Sequence, residues 1–284
     1  MCVCTFSSCR KLITDEFPDF DSKPTVNAII RDGKPIIVHV SLAGKIDSTR
    51  LRGVENAIVR LFVNDVLVDE LVHTEGGFYE SEQLGEQGKL YALEVTIPDF
   101  STLRSQTFLP RSEFIRSIEH LNDAGRDADG LPCHALRITF TNNPNQRQYF
   151  ELSIRTYMSG YINYKGDTIP ARIGHSVELH NISDPVILGE GFAIPVFSNR
   201  MIKDTIYTMY LEYVNSSPPL IIELRTVDSS YYHYLRSLYL YERNIFGNDI
   251  GEIYPPVPLY SNVLGGFGIV GSFSKHTYDI IFPK

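Results

Sequence analysis

The constraint that most limits what this chain can fold into is the scarcity of helical periodicity. Across 284 residues, one segment carries an apolar stripe of helical length. The remainder is a succession of short β-branched and aromatic runs cut by turn formers. Between residues 24 and 110 such runs fall at 26–31, 35–42, 57–63, 66–72, 90–97 and 102–109. Asp32-Gly33 turns the first pair, and Asn64-Asp65 is a two-residue hairpin turn between the third and fourth. At 57–63, Ala57, Val59, Leu61 and Val63 alternate with Ile58, Arg60 and Phe62. Both faces are largely apolar, as in a strand covered on both sides. With the run that follows Gly76-Gly77, the spacing argues for an immunoglobulin-like β-sandwich over residues 24–112. It lacks the Cys…Trp…Cys pattern of antibody domains, since the chain has no tryptophan.

Residues 113–284 read as a second β-rich domain. Strands are expected at 135–141, 149–158, 184–188, 192–197, 205–214 and 220–226, with a turn at Asn142-Asn143-Pro144-Asn145. The one prominent α-helix is expected near 229–244, capped by Asp228 or Ser229. Tyr231, Leu235 and Leu238, with Tyr234 and Tyr241, form its stripe. Tyr254-Pro255-Pro256-Val257-Pro258 is extended, and four glycines follow within 265–271. The fold class is mainly β, an N-terminal sandwich followed by a β-rich domain with one helix.

The charge of −8 and the lack of any Lys/Arg cluster longer than two speak against a nucleic-acid binder. No apolar run approaches the ~20 residues of a membrane-spanning helix. Of the four cysteines, Cys2, Cys4 and Cys9 crowd the first nine positions, apart from Cys133, which is no disulfide framework. As metal ligands they lack a nearby fourth donor. Phe6-Ser7-Ser8-Cys9 instead reads as the end of a lipoprotein signal, with Cys9 the lipid attachment site. The apolar stretch before it is shorter than a complete signal, so the expected start lies upstream of Met1. Residues 1–23 then comprise a signal remnant and a polar, acidic tether containing Asp15-Glu16. A disordered N-terminus with incidental cysteines is the competing reading.

Catalytic and metal-binding patterns are missing. G-G-F-G-I-V-G has glycines at the wrong offsets for a phosphate loop. Asp123, Asp127 and Asp129 lack the later acidic ligand of a calcium loop. His175 and His180 stand five apart on a segment that reads as strand, and Cys133-His134 reads as a buried cysteine beside a histidine. No G-x-S-x-G elbow occurs. No enzyme, cofactor or metal site is expected. The tyrosines are the remaining signal: fifteen of 17 lie after residue 148. Tyrosine suits binding surfaces and sheet interiors alike. Within the helix, Tyr232 and Tyr239 lie off the stripe carrying Tyr231, Tyr234 and Tyr241, so some of these rings face solvent or the 255–260 loop. Together with Tyr254, Tyr260 and Asn262 they form the candidate ligand or partner surface.

The Phe6–Cys9 motif, the acidic tether, Pro24-Thr25-Val26-Asn27-Ala28, and the ending Pro255-Pro256, Tyr260-Ser261-Asn262 and Gly265-Gly266-Phe267-Gly268 resemble one family. It is the Bacteroidota outer-membrane lipoprotein family described as domain of unknown function 4249. The Tyr231–Tyr241 helix with Tyr234-Leu235 adds to the likeness. The resemblance covers nearly the whole chain. It implies a lipid anchor in the outer membrane, cell-surface exposure, an immunoglobulin-like N-terminal domain and a TonB-dependent transporter as partner. It implies no catalytic residues. An envelope scaffold without a small-molecule ligand is the alternative.

Overall fold

The structure is a computed structural model that describes residues 22–44, 52–126, 130–164, 167–177, 179–180, 183–191, 194–213, 219–246 and 257–280. It is mainly β. The largest sheet runs in the order Asp167–Ser176, Tyr149–Tyr164, Leu220–Val227, Val270–Ile280, Pro24–Arg31, Pro35–Leu42, Phe78–Leu84, Val72–His73. Short strands Val196–Ser198 and Arg52–Gly53 pair alongside it. Two four-stranded sheets cover it. One comprises Val66–Glu70, Ile58–Val63, Leu90–Thr96 and Leu103–Phe108, the other Ile115–Arg126, Pro132–Thr141, Ile206–Tyr213 and Leu179–His180.

Local chemistry explains most of the hairpins. Asn64 and Asp65 adopt φ of 48° and 65°, the paired left-handed conformation that a twist-matched two-residue turn needs. The alternation at 57–63 buries Val59 and Leu61. Its opposite face is not covered as expected, for Ile58 stays 42% exposed. Residues 184–188 are not a strand. Asp184 caps a single helical turn, Pro185–Leu188, by accepting from the Val186 amide at 2.9 Å. Proline at the first helical position suits a turn that needs no amide there. Of the strand expected at 192–197, only Val196–Ser198 forms, and residues 192–193 lie outside the described residues.

The first and last strands pair in parallel, Ala28 opposite Val270 and Arg31 opposite Phe273. The segments before and after residue 112 therefore share one sheet. Val263 and Val270 join the core built on Val38, Val40, Val59 and Leu61. A second core gathers Phe140, Phe150, Phe197, Met209, Leu211 and Tyr213. The glycines near 268 have a steric role here, as their spacing suggested. Gly268 sits at φ +116°, and a Cβ there would collide with the Val26 carbonyl oxygen. Gly268→Ala is expected to cost about 2–3 kcal/mol, measured as a fall in the urea midpoint without a change of slope.

At one end of the second core, His120 Nε2 lies 2.6 Å from the Tyr213 hydroxyl, and the His120 and His134 rings stack 5.7 Å apart. Burial first, then the His134 charge, holds His120 below the ordinary imidazole range. The unfolded chain therefore takes up this proton at a higher pH than the folded one. Stability is present above the unfolded pKa of about 6.5 and is lost as pH falls through the depressed folded value. Thermal unfolding is expected to shift down between about pH 7.5 and 5.5. His120→Gln should flatten that slope.

Candidate functional site

The helix Ser229–Phe246 starts where the strand Leu220–Val227 ends. Asp228 sets its position. The carboxylate accepts from the amides of Ser230 at 2.8 Å and Tyr231 at 3.1 Å, and from the Ser272 amide of the last strand at 2.9 Å. Burial raises the Asp228 pKa, and these amides offset only part of it. At Gly271 a Cβ would stand 2.8 Å from that of Tyr231, so the missing side chain lets the first helical turn seat on the strand. One carboxylate thus fixes both the axis and the floor of the helix. Asp228→Ala is expected to cost about 2 kcal/mol in urea unfolding. Asp228→Asn, which keeps an acceptor, should cost less.

A second polar knot holds the middle of the helix. Glu190 accepts from the Ser198 amide at 2.8 Å and hydroxyl at 2.7 Å, from the Tyr232 hydroxyl at 2.5 Å, and from Arg236 at 2.7 Å. Burial raises the Glu190 carboxyl, but the bonds from Tyr232 and Ser198 and the Arg236 charge overcome it and leave the pKa below its usual range. Tyr232 is pushed up to about 12 by burial and by its bond to Glu190.

The expected site residues divide accordingly. Tyr232, off the sequence stripe, is the most buried of the helical tyrosines, with its ring 4.5 Å from Tyr149. Tyr231 stacks on Phe273 and is pushed up to about 12 by burial and then by the Glu151 charge. Tyr234 stacks on Tyr231. Tyr241 is 40% exposed. Tyr260 donates its amide to Ser237 Oγ at 2.8 Å and sets its ring 5.5 Å from His233. Asn262 spends its amide on backbone, accepting from the Val270 N–H at 2.9 Å and donating to the Val270 carbonyl at 2.8 Å. It also lines an open groove of about 790 Å³ on the outer face of a four-stranded sheet, beside Phe62 and Leu264. Cys9 and Tyr254 lie outside the described residues, as do Asp127 and Asp129. His175 is exposed and Cys133 is buried. No group of three or more His, Cys, Asp or Glu able to hold a metal occurs among the described residues.

Of the described members of the expected set, Tyr239 alone lines the cleft beside the helix. This cleft, about 480 Å³, opens between Leu235, Leu238, Tyr239 and Glu242 on the helix and residues 151–154 of the strand Tyr149–Tyr164. Ser176, Val177, Leu179 and residues 194–196 close its far side. Its volume falls within the ordinary range of ligand pockets, about 300–1,000 Å³. Its walls are mostly aliphatic. The Glu151 carboxylate on its floor is held by Arg225 at 2.8 Å. Behind it, Arg225, Arg155 and Lys275 surround the buried Glu223. Leu152, Ile154 and Pro195 were not among the expected site residues. The one sequence signal for them is Pro195, a proline inside an apolar run, which marks an interrupted ladder.

The family model described as "Domain of unknown function (DUF4249)" matches residues 10–279. A comparison with curated proteins finds no match. Among solved structures, the crystal structure named "Putative membrane anchored protein" from Corynebacterium diphtheriae is similar over 75% of this chain, at 10% identity and a TM-score of 0.24. The match spans 56% of that protein's length.

Proposed function

The chain belongs to the family described as Domain of unknown function (DUF4249), and from that premise we propose that it is a binding protein of the cell envelope. In this reading it is a Bacteroidota lipoprotein, held in the outer membrane by a lipid on Cys9 and exposed at the cell surface. Residues 24–112 are read as its immunoglobulin-like part. The cleft beside the helix captures a ligand and passes it to a TonB-dependent transporter. The observation that carries the reading is the cleft itself. It is ligand-sized, aliphatic-walled, and flanked by a helix that Asp228 and Glu190 hold in place. Its mostly aliphatic walls suit the binding of a ligand.

The scaffold alternative draws on the exposed apolar residues Val66 and Leu67, 63% and 52% exposed on an edge strand. Such residues suit contact with another surface more than capture of a small molecule. Fractionation and co-purification separate the two readings. With the native chain the protein is expected in the outer-membrane fraction, and Cys9→Ala should release it, because a single lost attachment removes the anchor. A β-barrel transporter should co-purify from native membranes. Native mass spectrometry of the released protein should show a bound small molecule that Leu238→Trp, which fills the cleft, displaces. Retention of Cys9→Ala in membranes would overturn the anchor. A ligand-free cleft with an intact envelope assembly would favour the scaffold.

A further inference from the structure

A second cleft, of about 410 Å³, lies where the two halves of the molecule meet, and it shares no lining residue with the aliphatic cleft beside the helix. One wall comes from the end of the strand Leu103–Phe108 and the stretch that follows it to Arg111. The other comes from residues 146–149 and from residues 226–230, where the strand Leu220–Val227 passes into the helix. Junctions of this kind are favoured places for small-molecule sites.

Its chemistry differs from that of the aliphatic cleft. Three charged residues line it, Arg111, Arg147 and Asp228. The Asp228 carboxylate is taken up by the amides of Ser230, Tyr231 and Ser272. It answers neither arginine, and the two helical amides it accepts are not open to a ligand. Glu113, two residues beyond Arg111, spends its carboxylate oxygens on the Gln148 amide at 2.7 Å and the Thr141 hydroxyl at 2.5 Å. No ion pair or hydrogen bond joins the Arg111 or Arg147 guanidinium to another described residue. By contrast, Arg225 and Arg236 nearby each hold a carboxylate.

The backbone beneath both arginines is fixed. The buried Asn199 grips the chain on either side of Arg147. Its Oδ1 accepts from the Gln148 amide at 3.1 Å, and its Nδ2 donates to the Gln146 carbonyl at 2.8 Å. Around Arg111, the Leu109 amide donates to the Lys89 carbonyl at 3.0 Å and the Ser112 amide to Gln87 Oε1 at 2.9 Å. Two guanidinia without internal partners thus stand on well-anchored chain, an arrangement that lowers the ordering cost of binding. Phe108, 43% exposed, and Pro110 add an apolar surface to the same cleft.

A guanidinium is a planar fork of N–H donors that matches the paired oxygens of a carboxylate or phosphate. Two of them facing one cleft, in a chain of net charge −8, set this place apart from the rest of the surface. An exposed aromatic ring beside them suits the apolar body of an organic molecule. We propose that this cleft binds a small organic anion, its oxyanion held by Arg111 and Arg147 and its body resting on Phe108. The site goes beyond the reading above and does not depend on what the aliphatic cleft holds.

The test titrates the full chain with phenyl phosphate, benzoate and inorganic phosphate at millimolar concentration and constant ionic strength. Calorimetry and the amide NMR shifts of Arg147 and Ser230 are the readouts. Saturable binding of an aromatic probe is expected, with shifts at both amides. The tighter of phenyl phosphate and benzoate names the oxyanion as phosphoryl or carboxylate. Arg111→Gln and Arg147→Gln are each expected to weaken binding about tenfold. Arg147→Lys, which keeps the charge and loses the fork, should weaken it about threefold. Both arginines are exposed, so these variants should keep the native thermal midpoint. Arg104→Gln removes the same charge from the outer face of a four-stranded sheet and should leave affinity unchanged. Phenyl phosphate should bind more tightly than inorganic phosphate, and Phe108→Ala should remove the difference. No saturation by either aromatic probe would overturn the proposal. Undiminished affinity in the Arg111→Gln/Arg147→Gln double variant would do the same, as would an equal loss from Arg104→Gln, the mark of diffuse attraction. Equal affinity for the two phosphates would overturn the contact with Phe108.

Discussion

The parallel pairing of Pro24–Arg31 with Val270–Ile280 is the contact on which the rest of the molecule depends. It joins segments 242 residues apart, at Asn27 and Ile269. Closing so long a loop costs chain entropy before any neighbouring contact repays it. The repayment is spread over both halves. On one side the last strand contributes Val270 to the N-terminal core. On the other it pairs with Leu220–Val227 and so reaches the C-terminal core. Its polar face is also occupied. Ser272 bonds Thr107 at 2.8 Å and the Phe108 carbonyl at 2.8 Å, while His276 Nδ1 accepts from the Ile115 amide at 3.2 Å. These are the residues around the passage from one half to the other. The last strand acts as a common wall rather than as the final strand of a second body.

The helix inherits its place from that wall. The carboxylate of Asp228 that caps the first turn also accepts the Ser272 amide, which ties the helix start to the last strand. Gly271, one residue earlier, keeps the approach free of a side chain. Loss of the parallel pairing would therefore displace the helix as well as the N-terminal core, although the helix makes few contacts with the first strand itself. The placement of the helix and the closure of the chain are linked through two adjacent residues, Gly271 and Ser272.

What could be read in the sequence follows the range of the interactions. The strand 35–42, the Asn64-Asp65 turn, the strand expected at 220–226 and a helix cap at Asp228 or Ser229 are encoded by near neighbours; the structure extends that strand to Val227 and gives the cap to Asp228. The turn at Pro185–Leu188 was misread because its aliphatic run resembles a strand, while the decisive signal was an aspartate directly before a proline. Tyr232 was placed off the helical stripe because its partners, Glu190 and Tyr149, come from elements that periodicity within one helix cannot see. The same limit explains why the sequence singles out the tyrosine-rich ending only as a region. Tyr239 reaches the cleft, whereas Asn262 and Tyr232 serve the backbone and a buried carboxylate.

The position of the cleft also follows from sheet geometry. A strand that takes two successive partners on one edge must leave an interval where neither reaches it, unless the partners abut. Here they abut, Pro195 reaching Leu152 and Val177 reaching Ile154, but Pro195 cannot supply an amide to the Leu152 carbonyl. In a sheet that needed only stability, a donor at 195 would close the ladder and bury the edge. Keeping it open is tolerable because the helix covers the interval with Leu235 and Leu238 and is itself tied down at both Asp228 and Glu190. A strand carbonyl left without its ladder donor costs a folded protein stability, and the packing of the helix over that edge offsets part of the cost.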